Sequence, residues 1–125
     1  MLRRSIAISI LVAAMAGLAP TPRADDPVHA FDIAVVNGAV APAQRILKVP
    51  HQADVRIAWS VDRPMTIHLE GYDISVLVSP GESKIMQFKA FATGRFPVHA
   101  HAGDQGESKK HAHGRGALLR LEVHP

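Results

Sequence analysis

Apolar and polar residues alternate with a two-residue period through most of the chain beyond residue 30. Phe31-Asp32-Ile33-Ala34-Val35 is the first such run, closed by Asn37-Gly38. Arg45 to Val49 follows and stops at Pro50. Val55 to Val61 alternates cleanly and ends at Asp62-Arg63-Pro64. Met65 to Leu69 is closed by Gly71, and Ile74 to Val78 by Ser79-Pro80-Gly81. Ile85 to Phe91, Arg95 to His101 and Ala117 to Val123 complete the set. Eight short strands between regular turn signals predict an all-β domain, a β-sandwich or small barrel. The competing expectation is an α+β fold with one helix around residues 83–92. Residues 102–116, AGDQGESKKHAHGRG, break the rhythm. Their Gly, charge and His content predicts a surface loop between the last two strands, of a length often tied to function.

The start of the chain follows a different pattern. MLRR precedes the uncharged run SIAISILVAAMAGLA, and TPRADD follows it. A basic start, an apolar stretch and small residues before a polar switch form the layout of a secretory signal peptide. The apolar run is shorter than the roughly 20 residues of a membrane span, which disfavours an uncleaved anchor. Residues 1–24 are therefore expected to be the signal peptide and residues 25–125 the mature domain, working in the periplasm or outside the cell.

This division changes the charge. The whole chain carries 14 Lys and Arg against 11 Asp and Glu. Removing Arg3, Arg4 and Arg23 leaves as many basic as acidic residues. A nucleic-acid role then has no electrostatic basis, because phosphate binding needs surplus Lys and Arg. The total of 125 residues allows one ordinary domain. The chain contains no Cys. Disulfides, thiolate zinc sites, iron–sulfur clusters and a cysteine nucleophile are excluded, and so is a blue-copper site. No glycine pattern cradles phosphate, no nucleophile–base–acid arrangement is readable, and Tyr72 and Trp59 read as core or corner residues.

Histidine carries the remaining chemistry. Eight His occur in the chain, four of them as His99-Ala100-His101 and His111-Ala112-His113. Residues i and i+2 of a strand face one side, roughly 6.6 Å apart. Phe96 and Val98 take the core, so His99 and His101 lie on the opposite face or at the strand's end. Two imidazoles so placed can close on one metal ion, and His111 and His113 sit on a loop that can fold back over them. Imidazole suits copper, zinc and nickel, with copper(II) held most tightly. His68 alternates with Ile67 and Leu69 and faces away from them, as a ligand or as a half-buried hydrogen-bonding residue. His29, His51 and His124 read as surface or capping residues.

Three phrases occur in order: MTIHLEGYDI, SPGESKIMQFKAFATGRFPVHAH and ALLRLEV. Together they resemble the cupredoxin-like superfamily, in particular small secreted members with an H-L-H-G-Y-D corner and a G-R-F-x-x-x-x-H strand. The resemblance spans roughly residues 30–125 and implies a Greek-key β-sandwich with a metal site at one end. It implies a corner ligand, His68, and late ligands drawn from His99, His101, His111 and His113. The chain departs from the pattern in three places. The usual Cys, expected close to Ala100, is absent. Glu70 stands where related chains show a second His. No Met follows the last His pair, and Met65 alternates with core positions. An all-imidazole site, with Glu70 or Asp104 as a further donor, would hold copper(II) and suits storage or delivery better than electron shuttling.

The leading expectation is a secreted or periplasmic copper-binding protein that sequesters copper or passes it to a delivery partner. Copper(II) is the expected ion, and zinc the other candidate. The alternative is a metal-free binding module that touches a protein partner through residues 102–116. An enzyme is not expected. FPVHAHAGD resembles at a distance the F-H-V-H-E-x-G-D stretch of copper–zinc superoxide dismutases, but that family places the pair early and carries a disulfide.

Overall fold

The computed structural model describes residues 27–102 and 116–125. Residues 1–24, expected to be a signal peptide, and residues His111 and His113 lie outside them. The described chain forms eight strands: β1 (His29–Val35), β2 (Ile46–Pro50), β3 (Asp54–Val61), β4 (Met65–Leu69), β5 (Ile74–Val78), β6 (Lys84–Lys89), β7 (Gly94–Ala102) and β8 (Leu119–His124). All eight expected strands are present, within a few residues of the expected limits. The segment around 83–92 is β6 and not a helix. Its inward residues, Met86 and Phe88, repeat every second position, as a strand requires.

The strands form a three-stranded sheet in the order β1-β3-β6 and a five-stranded sheet in the order β2-β8-β7-β4-β5. Consecutive strands β1, β2 and β3 alternate between the sheets, which makes the β1–β3 pairing parallel. β2 likewise runs parallel to β8, and the other pairings are antiparallel. This is the Greek-key sandwich expected from the sequence.

Alternation builds the core directly. Ile33 and Val35 of β1, Val55, Ile57 and Trp59 of β3 and Met86 of β6 face Leu69, Ile67, Val78, Val98, Leu119 and Leu121 of the other sheet. Their burial supplies most of the folding free energy, at about 25 cal/mol per Å² of apolar surface removed from water. Met65 is buried among them, as its alternation predicts.

The corners are fixed by backbone chemistry. Asn37 and Gly38 both have positive φ, 52° and 74°, the signature of a tight hairpin turn. Val36 and Ala39 close it with two backbone hydrogen bonds. The β4–β5 corner is built differently. Tyr72 packs against Phe88, Phe91 and Phe96, with ring centroids 5.1, 4.7 and 4.9 Å away. Its hydroxyl donates to the Ala92 carbonyl at 2.8 Å and accepts from the Ala92 amide at 3.2 Å. Gly71 lets the chain pass under this cluster. Its φ is +81°, and a Cβ there would lie 2.5 Å from the Phe96 ring.

Candidate metal centre

The ladder between β4 and β7 brings two expected ligands together. His68 is the direct cross-strand partner of His99. Residues paired this way carry their Cβ atoms about 4.5–5.5 Å apart on one face. Two residues along, Thr66 pairs with His101, so all three imidazoles share the outer face of the five-stranded sheet. The inward positions between them, Ile67, Val98 and Ala100, are what turn them outward. His68 and His99 are half-buried, with side chains 30% and 29% exposed. His101 is exposed.

Each half-buried imidazole has a carboxylate nearby. Glu70 Oε1 lies 3.3 Å from His99 Nε2, and Asp73 Oδ1 lies 3.7 Å from His68 Nε2. The Glu70 backbone is tied to β7 by its amide, which donates to the Pro97 carbonyl at 3.1 Å. Asp73 takes a positive φ of 54° at the corner, a conformation Asp tolerates better than most residues. Its proximity to His68 was not legible in the sequence, because it depends on how the Gly71 corner curls.

His99 and His101 also border a shallow cleft of about 150 Å³ at the end of the sandwich. Met65, Arg63, Gly38 and Leu118 form its other walls. Ala100, close to where a thiolate would be expected, contributes only a methyl group to it. Among the described residues, no group of three or more His, Asp or Glu side chains converges on one point that could hold a metal ion. The face therefore offers a facing imidazole pair with two carboxylates behind it. Chemically this is a nitrogen–oxygen donor set, suited to copper(II), nickel(II) or zinc(II) and unsuited to a thiolate-dependent centre. Asp104, His111 and His113 belong to the segment outside the described residues.

No protein-family model matches the chain, and no curated protein matches its sequence. Solved structures do. A blue copper oxidase from Nitrosomonas europaea superposes with a TM-score of 0.58 at 23% identity, covering 79% of this chain and 39% of its own. A heme-copper terminal oxidase dimer matches with a TM-score of 0.57 at 18% identity, covering 76% of this chain and 64% of its own. A copper binding protein in its apo form matches with a TM-score of 0.50 at 14% identity, covering 74% and 87%. The fold is cupredoxin-like. This chain is a cupredoxin-like sandwich without the blue-copper cysteine. It spans less than two thirds of either oxidase chain, and these likenesses concern the fold alone.

Proposed function

We propose that the protein binds copper(II) in the periplasm or outside the cell, and sequesters it or passes it to a delivery partner. In this reading residues 1–24 are the export signal and residues 25–125 the working domain. The observation that carries it is the direct pairing of His68 with His99 across neighbouring strands, with His101 on the same face. The blue copper oxidase and the copper binding protein among its structural neighbours support the choice of ion. His68, His99 and His101 would hold the metal together with His111 and His113, and Glu70 would orient His99. Bound copper(II) would be kept in an imidazole-rich set that favours tight retention. Without a thiolate the set suits holding and transfer of the ion, not rapid electron transfer.

Glu70, 3.3 Å from His99 Nε2, has a physical part in this. A carboxylate on one ring nitrogen fixes the tautomer and raises the basicity of the other nitrogen, which strengthens it as a ligand. The exposed position of His101 leaves the ion reachable from outside, as a protein that hands it on requires.

The test is a copper(II) titration of residues 25–125 at pH 7, followed by calorimetry and electron paramagnetic resonance. One tight equivalent with nitrogen hyperfine structure is expected. Replacing both His68 and His99 by Ala is expected to weaken it by roughly 100-fold, about a tenfold loss per ligand. Unchanged affinity in that variant would remove the pair from the site. Weak, non-saturating binding by the wild-type protein would favour the metal-free binding module.

A further inference from the structure

A second pair of histidines sits at the other end of the sandwich. The starts of β1 and β3, and the ends of β2, β6 and β8, meet at the end remote from the β7–β8 connection. His29 opens β1 on its inward-facing row, the row that continues through Phe31, Ile33 and Val35. It is half-buried there. Among the described residues its imidazole has no hydrogen-bond partner. His51 lies in the tight connection between β2 and β3. Both residues line one cleft of about 200 Å³, with Pro27, Pro50, Gln52 and Ala53.

The His51 ring reaches a backbone carbonyl of a neighbouring segment. Its Nε2 lies 3.0 Å from the Phe91 carbonyl oxygen. In the tautomer with the proton on Nε2, the ring donates to this carbonyl and Nδ1 keeps its lone pair. The Gln52 side-chain nitrogen, itself a donor, lies 3.1 Å from the same ring nitrogen, so only one of the two contacts is a hydrogen bond in a given tautomer, and neither engages Nδ1. A ring N–H given to a backbone carbonyl is the arrangement that orients metal-binding histidines. The turn itself is rigid. Gln52 adopts a positive φ of 68°, its amide donates to the Ala90 carbonyl at 2.8 Å, and its own carbonyl accepts from Lys89 Nζ at 3.2 Å. The His51 amide donates to the His124 carbonyl. An otherwise unfavourable backbone conformation is thus pinned from the ends of β6 and β8, and it keeps His51 beside the cleft.

We propose that His29 and His51 form a second metal site, a two-imidazole site for a borderline divalent cation such as zinc(II), with water completing its shell. The two nitrogen donors match the preference of that class of ion. Its place at the opposite end of the sandwich separates it from the His68–His99 face, and it stands or falls independently of the copper reading.

The experiment uses zinc sulfate as the probe at pH 7. Imidazole ring nitrogens of residues 25–125 are followed by long-range proton–nitrogen NMR, with calorimetry in parallel. A variant with His68, His99, His101, His111 and His113 all replaced by Ala silences the other cluster. One zinc equivalent is expected to shift His29 and His51 in the wild-type protein and in that variant, with the His51 shift at Nδ1. His51→Gln keeps an N–H donor for the Phe91 carbonyl and removes only the ligand nitrogen. It is expected to weaken zinc binding in the silenced background by about tenfold or more, and His29→Phe likewise. Zinc that shifts neither ring, or that binds His51→Gln as tightly as its parent, would overturn the proposal. The wild-type spectrum keeps the test valid should the silenced variant fail to fold.

Discussion

On β4, Ile67 and Leu69 have no exposed surface, while His68 between them keeps nearly a third of its side chain in water. The same division runs along β7, where Val98 is fully buried and His99 beside it is not. Two rows of side chains on one pair of strands thus serve different ends. The inward row meets the opposite sheet and stabilises the sandwich. The outward row meets only its cross-strand neighbours and solvent. Its residues are free to be chosen for chemistry, because little of the fold rests on them. A β-sandwich therefore carries a candidate site on two adjacent strands without weakening its core.

The largest test of this division compares neighbours. Leu69→Ala empties a fully buried position and is expected to cost about 2–5 kcal/mol of unfolding free energy. His68→Ala, one residue away, is expected to change stability by no more than about 0.5 kcal/mol. Urea denaturation of both variants measures the contrast. A cost of several kcal/mol for His68→Ala would show that the outer row is structural after all, and that the imidazole is a packing residue.

The division also explains what could be read from the sequence. A period of two is visible in one dimension, so the strands and the burial of Ile67, Met65 and Trp59 follow from it. So does the outward turn of His68, His99 and His101. The pairing of His68 with His99 does not follow, because it is set by register between strands some thirty residues apart in sequence. The carboxylate of Asp73 beside His68 depends on a corner whose curl is fixed by Gly71 and Tyr72. His29 and His51 look like isolated surface residues in sequence. Only the meeting of β1 with the β2–β3 turn puts them in one cleft.

The Gly71 corner offers a second test of comparable size. Gly71→Ala would place a methyl group against the Phe96 ring and force a side chain onto a φ of +81°. The left-handed backbone costs roughly 1–2 kcal/mol, and crowding of a packed ring about 1–3 kcal/mol. The expected sum is about 2–5 kcal/mol. It should be accompanied by a change in the tyrosine near-ultraviolet circular dichroism, because Phe96 supports Tyr72. The corner also carries Glu70 and Asp73, so the variant is expected to disturb the half-buried imidazoles as well. A stable Gly71→Ala protein with wild-type circular dichroism would show that the corner is looser than its packing implies.

The smallest expected effect concerns a surface contact belonging to neither row. At the turn after β3, the Asn37 amide donates to Asp62 Oδ2 at 2.7 Å. This hydrogen bond, with the neighbouring Arg63 guanidinium adding to it, holds the Asp62 carboxyl below its usual value of 3.8. A carboxyl depressed in the folded state contributes stability that is fully present above its unfolded value and disappears as pH falls through the folded one. Wild-type stability should therefore decline relative to Asp62→Asn as pH falls from about 5 toward 2, where the variant has no charge to lose. Urea midpoints across that range give the comparison. Parallel curves would mean that the Asn37 contact has no preference for the ionised carboxylate. Converging curves would show that a backbone donor gives even an outer-surface carboxylate a measurable share in stability.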